Sequence, residues 1–298
     1  MTAEMIDLHP LYLTFQTRRA VVLPRQPGPL WRGAIGARLR ADVCVTGVTR
    51  CRGCGLHSRC AYAALFEPMP PESGLGRRFR DPPRPWALAP VEAGMRLQPD
   101  DTVSLRITLI AHGLEAWNAL RCALERLRLG PAPLELVAAE SRPPVGSPSP
   151  APRWLAAYRP EPPPAPRAVR VLLEGPLRLQ HEGRPLGPAE LHGGAVIGAL
   201  LRRLTSLGAD LPDADPADLL RRVGERLQLV DADLRWRDAE RTSSRQGRRV
   251  PLGGVVGTFR FVGDLEPYWP WLWAGQWTHV GKSVTMGLGR YRLLPEDG

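Results

Sequence analysis

The sequence predicts an α+β protein made of two domains with the same order of elements, and three observations lead to this prediction. Residues 141–167 contain ten prolines, a composition typical of a linker, which separates residues 1–140 from residues 168–298. Alternating apolar residues indicate strands on both sides of this linker. The two middle strands of each half follow each other without a crossover helix, which favours antiparallel pairing over a doubly wound sheet.

The first domain begins with a strand in which every second residue from Leu11 to Phe15 is apolar. Pro29 then opens a helix, as proline commonly does in a first helical turn. Further strands are predicted at 86–89, 103–109 and 134–137, and an apolar stripe from Leu114 to Leu127 predicts a second helix. The order β-α-β-β-α-β is the ferredoxin-like pattern, which RNA-recognition modules also use.

The second domain repeats this order. Strands are predicted at 169–173, 230–236, 255–262 and 290–294, with a helix at 189–206 and a short one beginning at Asp215. Pro270 predicts that the aromatic segment near residue 270 is an irregular helix at best. Its three tryptophans recur every four residues, which favours a stripe facing the core over a platform for stacking bases. The fold class is therefore two tandem ferredoxin-like, or RRM-like, domains.

The charge of the chain indicates a polyanionic partner. The formal net charge is +10, and of the 40 basic residues only Lys282 is a lysine. Arginine forms forked bonds to phosphate and stacks on bases, so nucleic acid is favoured over a membrane surface. No stretch approaches the roughly 20 apolar residues of a membrane span, and residues 1–10 lack the basic run of a signal peptide. We therefore expect a cytoplasmic protein that does not bind membranes.

The segment from His279 to Tyr291 is the first candidate for chemistry. Glycines allow a backbone to approach an anion closely, and basic residues add charge. The candidates here are Gly281, Lys282, Ser283, Gly287, Gly289 and Arg290. A nucleotide-binding P-loop is excluded, because five residues rather than four separate Gly275 from Gly281. A glycine-rich turn that leads into an edge strand remains the alternative.

A second basic segment runs from residue 241 to residue 249. Arg241, Ser244 and Arg245 suit contacts with phosphate and sugar, although a solvated hairpin loop has the same composition. Arg32 and Arg38 of the first helix are further candidates for RNA contacts.

Four of the five cysteines cluster within 17 positions, at Cys44, Cys51, Cys54 and Cys60. In a cytosolic protein such clusters indicate a metal rather than disulfides, and four thiolates suit structural zinc. An iron–sulfur cluster uses the same ligands, and His57 could replace one thiolate. Four unrelated buried thiols are the alternative. The sequence thus predicts a cysteine-rich, metal-binding insertion in the first domain.

Taken together, three blocks resemble the CRISPR-associated endoribonucleases of the RAMP superfamily that process precursor crRNA. The first block is residues 28–36, followed by the cysteines and residues 62–68; the second is residues 241–246 with 252–257; the third is residues 279–291. The third is the most specific, since that family is known for a glycine-rich loop near its C-terminus.

The resemblance implies binding of CRISPR repeat RNA and cleavage without a catalytic metal, leaving a 2′,3′-cyclic phosphate and a 5′-hydroxyl. It also implies other CRISPR effector subunits as partners. Several family members carry their catalytic histidine near the first helix, but here that helix has none. His279, which precedes the glycine loop, is the predicted base, and Lys282 is the group that stabilises the charged phosphorane. Another histidine, or an arginine in its place, is the alternative for the base. The alternatives are a non-cleaving crRNA-binding subunit and a zinc-containing DNA-binding regulator.

Overall fold

The computed structural model describes residues 6–70, 82–141, 162–209, 221–223, 226–242 and 249–296. The chain forms two compact units. The N-terminal unit contains residues 7–158 together with Thr285–Gly287, and the C-terminal unit contains residues 1–6, 159–284 and 288–298. The helix predicted to begin at Asp215 lies outside the described residues, as do residues 142–161 of the predicted linker.

The N-terminal unit contains, in chain order, β1 (Leu8–Thr17), β2 (Val21–Val22), α1 (Gly28–Val43), α2 (Ala61–Phe66), β3 (Trp86–Pro90), β4 (Arg96–Leu97), β5 (Thr102–Ile110), α3 (Trp117–Glu125), β6 (Arg128–Leu129) and β7 (Ala132–Glu140). Its main sheet has the strand order β3-β5-β1-β7-β6, and all neighbours are antiparallel. The four long strands thus follow the order second, third, first, fourth. With α1 and α3 between them, this is the predicted ferredoxin-like topology.

Helix α1 is fixed on this sheet by alternate strand residues. Leu13 and Phe15 of β1 are buried, and Phe15 meets Trp31 of α1 with ring centroids 5.5 Å apart. Ile35 and Leu39 continue the buried stripe at helical spacing. The arginines of α1 lie off this stripe and stay partly exposed. The packing therefore decides which side chains of α1 are available for other contacts.

The C-terminal unit contains β8 (Ala168–Leu177), β9 (Gln180–His181), β10 (Arg184–Pro185), α4 (Gly193–Ser206), β11 (Leu227–Arg237), β12 (Glu240–Thr242), β13 (Arg249–Pro251), β14 (Gly254–Gly263), α5 (Trp269–Thr278) and β15 (Tyr291–Glu296). The four long strands pair in the order β11-β14-β8-β15, again antiparallel. This order is the same as in the N-terminal unit. The repeat of the pattern predicted from the sequence is therefore present in both halves.

Two predicted elements differ from the structure. Helix α4 begins at Gly193 rather than at residue 189, because residues 188–190 form a separate 3₁₀ turn and the His192 side chain caps α4. Helix α5 is a regular α-helix despite Pro270, because the proline occupies its first turn, where no intrahelical N–H bond is lost.

The tryptophan stripe of α5 belongs to the core, as the sequence predicted. Trp269 and Trp277 are buried, and Trp273 lies between them with ring-centroid distances of 5.8 and 6.0 Å. No helix in the described ranges is long and apolar enough to cross a membrane.

Candidate nucleic-acid interface

The glycine-rich segment begins in the C-terminal unit where α5 ends. Positive φ angles occur at alternate positions, with 58° at His279, 87° at Gly281 and 61° at Ser283. A Cβ on Gly281 would lie 2.5 Å from the carbonyl oxygen of Arg178, and the Lys282 N–H donates to the same oxygen at 2.9 Å. This glycine turn, residues 279–283, is therefore held against the end of β8, and position 281 has no room for a side chain.

Gly289 is also a packing position. Its φ is 67°, and a Cβ there would lie 1.8 Å from the carbonyl oxygen of Val280. Its N–H donates to Pro176 at 2.8 Å, and its carbonyl accepts from the Val280 N–H at 3.0 Å. The backbone groups of Gly289 are thus used to join the turn to edge strand β15. This geometry favours a glycine-rich turn leading into an edge strand at this position.

The two predicted catalytic residues differ in exposure. His279 is 0% exposed, and its N–H donates to the carbonyl of Gly275 at 2.8 Å where α5 ends. Lys282 is exposed. A fully buried imidazole cannot touch bound RNA in this arrangement, whereas the ammonium can. The role of His279 as the base stays a prediction, and its burial weighs against it.

The tip of the segment, Thr285–Gly287, belongs to the N-terminal unit. Thr285 is 3% exposed, and its hydroxyl accepts a hydrogen bond from Nε of Arg32 at 3.1 Å. A Cβ on Gly28, at the start of α1, would lie 1.9 Å from a backbone oxygen of this tip. Gly287, with φ 79°, packs against β3. The structure therefore brings Arg32 and Gly287, two candidates predicted separately, into one cluster.

An aromatic stack also contacts the Arg32 guanidinium. Arg32 lies over the Phe66 ring at 5.1 Å, and Phe66 stacks on Tyr62 with centroids 5.1 Å apart. Gly36 leaves room for Phe66, since a Cβ there would lie 2.7 Å from the ring. Arg40 covers the far face of Tyr62 at 5.4 Å. The charge of Arg32 is thus oriented by a ring and a hydroxyl.

Two other predicted arginines already have acidic or carbonyl partners. Arg38 forms an ion pair with Asp42 one turn later on α1, and its hydrogen bond holds the pKa of Asp42 below its usual value. Arg290 donates to the backbone oxygen of Glu174 at 3.1 Å. Both guanidinium groups are partly used within the protein. Their contacts with RNA stay predictions.

The second basic segment is described only in part. Arg241 lies in β12, which pairs with β13 in a short hairpin, with Arg241 opposite Val250. Ser244 and Arg245 lie outside the described residues. The hairpin matches the predicted loop between two strands, and the RNA contacts of its arginines stay predictions.

The cysteine segment folds as consecutive turns between α1 and α2. The N–H of Cys54 donates to Cys51 at 2.9 Å, that of His57 to Cys54 at 3.0 Å, and that of Cys60 to His57 at 3.3 Å. Residues three apart in such turns lie on one side of the chain. Their side chains, together with that of Cys44, line one cavity of about 130 Å³.

This cavity is not arranged as a metal site. Among the described residues, no three His, Cys, Asp or Glu side chains stand where they could hold one ion. Burial and the Glu67 carboxylate raise the pKa of the Cys51 thiol, whereas a hydrogen bond from the Gly47 backbone lowers that of Cys44. His57 also bonds the Glu67 carbonyl through Nε2 at 2.8 Å. The predicted metal-binding insertion is therefore present as a cysteine-lined cavity and not as a ligand set.

Sequence reasoning missed three residues of these clusters. Arg178 contacts the glycine turn, Phe66 supports Arg32, and Thr285 accepts its hydrogen bond. Phe66 stands in the first block of the resemblance, and Thr285 in the third. Arg178 follows an ordinary strand with no motif around it, so no local signal indicated it.

Two models of known families match the chain, one in each half. Residues 171–291 match the family model of the CRISPR-associated endoribonuclease Cas6. A second model, described as an N-terminal domain, matches residues 6–134. No curated protein matches the sequence.

Solved structures of low identity share the fold. A Cas6 product complex aligns with a TM-score of 0.63 at 18% identity, covering 97% of this chain and 100% of that one. Thermus thermophilus Cas6 aligns with a TM-score of 0.59 at 16% identity, covering 97% and 99%. The product of a Cas6-related gene from Pyrococcus furiosus gives 0.54 at 14% identity, covering 97% and 100%.

The chain consists of two units with ferredoxin-like strand order, and its glycine-rich segment stands just before the last strand. The matched model runs from β8 to the start of β15 and includes the whole glycine-rich segment. Residues 171–291 therefore form a Cas6 domain, which agrees with the resemblance seen in the sequence.

Proposed function

We propose that this protein binds the repeat of precursor crRNA and cleaves it. The Cas6 domain carries this proposal, because the matched residues include the whole glycine turn and the exposed Lys282. Among the structures of the same fold, one is described as a Cas6 product complex and another as a Cas6 substrate mimic complex. The basic composition of the chain suits such a polyanionic substrate.

The proposed chemistry needs no metal. The 2′-oxygen next to the scissile phosphate forms a bond to phosphorus, and the bond from phosphorus to the 5′-oxygen breaks. A base takes the proton of the 2′-hydroxyl, and the leaving 5′-oxygen receives a proton. The products are a 2′,3′-cyclic phosphate and a 5′-hydroxyl. Lys282 is placed to neutralise charge on the phosphorane, and His279 could act as the base only if its surroundings opened.

The test is incubation of the full chain with repeat RNA in excess EDTA, with binding and cleavage measured in parallel. Cleavage that leaves a cyclic phosphate supports the proposal, and a parallel single-turnover assay of His279→Ala reports on the base. Tight binding without cleavage supports the alternative, a non-cleaving crRNA-binding subunit. Cleavage that disappears in EDTA and returns with added metal excludes the metal-independent reaction.

We also propose other CRISPR proteins as partners. Two similar structures are described as Cas6-RT-Cas1–Cas2 complexes, in which this chain covers 47% and 30% of the matched chain. Co-purification of the tagged chain with other CRISPR subunits checks this. The Cas6 domain weighs against the remaining alternative, a DNA-binding regulator.

Binding of repeat RNA should weaken steeply with salt, since phosphate contacts release counterions. Lys282→Ala should weaken binding several-fold and make the plot of log K against log salt shallower by about 1. Arg121→Ala is the control, because Arg121 is exposed on α3, pairs with Glu125 and is not among the predicted RNA contacts. Equal affinity of the wild type at 50 and 300 mM salt would show that phosphate contacts do not dominate.

The cysteine segment is the basis of a separate proposal, that it holds one structural zinc. The turns space Cys51, Cys54 and Cys60 by three and six positions, and all four clustered thiols line one cavity. Zinc would have to draw these thiols closer than they stand, because the described side chains form no ligand set. An iron–sulfur cluster is the alternative and would absorb visible light.

Protein purified without added metal should contain about one equivalent of zinc by elemental analysis. Cys51→Ser should lose most of that metal and lower the melting temperature, since Cys51 is the buried thiol of the group. Cys122→Ser should keep the metal and the melting temperature of the wild type, because Cys122 is exposed on α3 and apart from the cavity. Metal-free wild type that melts cooperatively at an unchanged temperature after zinc addition would overturn the proposal.

A further inference from the structure

Arg178 stands where two blocks of the sequence resemblance meet in the C-terminal unit. It follows the last residue of β8, and its Nη1 donates to the carbonyl of Gly253 at 2.7 Å. Its own carbonyl accepts the N–H of Lys282 at 2.9 Å and lies against Gly281. One residue therefore anchors both the segment before β14 and the glycine turn.

The charge of Arg178 is not compensated by a carboxylate, unlike that of five other arginines in this unit. Ion pairs with carboxylates at 2.5 to 3.1 Å occupy Arg170, Arg184, Arg226, Arg260 and Arg292. Within the described ranges, Arg178 and Lys282 have no carboxylate at ion-pairing distance. A half-buried guanidinium held by one carbonyl keeps most of its donors for another acceptor.

The glycine turn, which contacts the backbone of Arg178, adds further donors. The N–H groups of Gly281 and Ser283 have no backbone acceptor among the residues that the structure describes. Ser283 adopts a φ of 61°, which a side-chain-bearing residue rarely does without a reason in its surroundings. The neighbouring N–H groups of Val280 and Lys282 are bonded to Gly289 and Arg178, so Gly281 and Ser283 carry the donors of this turn that are left for an anion.

We infer that Arg178 and the backbone N–H groups of Gly281 and Ser283 bind one phosphate of the RNA backbone. The inference rests on the proposed function and adds a residue to it. It also gives two glycines different roles. Gly281 belongs to this phosphate site, whereas Gly289 serves packing, because its N–H and carbonyl are already bonded. Arginine suits the site because its planar fork can donate two parallel bonds to one phosphate.

The test measures the affinity of the full chain for repeat RNA across a salt series. Arg178→Ala should weaken binding about tenfold to a hundredfold and make the salt dependence shallower by about 1. Arg178→Lys keeps the charge and loses the fork, so it should weaken binding several-fold with an unchanged slope. The control is Arg184→Ala, which removes one exposed positive charge from the same unit. It should change neither the affinity nor the slope of the salt dependence.

The outcomes separate this inference from the function on which it rests. A wild type that does not bind repeat RNA removes the proposed function itself. A wild type that binds, with Arg178→Ala equal to it in affinity and slope, overturns the inference alone. A variant that melts earlier yet keeps the wild-type slope shows a purely structural role and also overturns it. If Arg178→Ala does not fold, Arg178→Lys decides by its affinity.

A competition experiment distinguishes a phosphate of the RNA backbone from free inorganic phosphate. Inorganic phosphate, added at constant ionic strength, should leave the RNA affinity of the wild type unchanged, because one monovalent contact competes poorly with a multivalent strand. Displacement of RNA from the wild type, but not from Arg178→Ala, would show that free phosphate competes at Arg178 and would also support a phosphate contact there.

Discussion

A repeat RNA with a single 2′-deoxy sugar just before the scissile phosphate should bind the protein and not be cut. The substitution removes the attacking oxygen, so the proposed reaction has no nucleophile and the cleavage rate should fall below detection. Binding should change by no more than a few-fold, because the phosphates that attract Lys282 and the arginines are all retained. Single-turnover cleavage assays with binding measured on the same RNA check both expectations.

A 2′-deoxy sugar placed one nucleotide further away is the matched control and should be cut at the normal rate. Cleavage of the first substrate at the wild-type rate would mean that water or another nucleophile attacks the phosphate. The prediction of a 2′,3′-cyclic phosphate product would then be wrong, although the assignment of the Cas6 domain would stand.

Gly289→Ala should destabilise the C-terminal unit by about 2–5 kcal/mol. An alanine at a φ of 67° carries a backbone penalty of about 1–2 kcal/mol. Its Cβ would also lie 1.8 Å from the carbonyl oxygen of Val280, so the turn must shift. The shift would strain the hydrogen bonds that Gly289 makes with Val280 and Pro176. Urea unfolding of both proteins measures the difference.

Gly183→Ala separates the backbone penalty from the effect of the close contact. Gly183 has a φ of 81°, and a Cβ there would meet nothing within 4 Å. This variant should lose only the backbone penalty of about 1–2 kcal/mol. If the two variants lose the same stability, the close approach of residues 289 and 280 does not constrain the fold.

Local patterns were enough to predict the long strands and the repeat of the fold. Alternation in β1 and β5 has a direct physical cause, since one face of each strand is buried. The regular course of α5 was not predicted because the effect of Pro270 depends on where the helix begins. That starting point is set by packing of the aromatic residues, which a local pattern does not show.

The candidate site was predictable only as separate segments. Arg32 and Thr285 are 253 positions apart, and their hydrogen bond depends on which unit the segment tip joins. The burial of His279 likewise results from the packing at the end of α5, not from its neighbours in the sequence. The choice of His279 as base relied on sequence proximity to Lys282, which carries no information about exposure.

The place of Thr285–Gly287 in the N-terminal unit has a consequence for how the protein is made. A ribosome supplies these three residues only after residues 159–284 of the C-terminal unit. Until then α1 has no partner for the close approach at Gly28, and Arg32 lacks its hydroxyl acceptor. A fragment that ends at the linker would keep this surface open permanently. Residues 7–158 therefore do not make a complete folding module, and a chain divided at the linker lacks part of the unit.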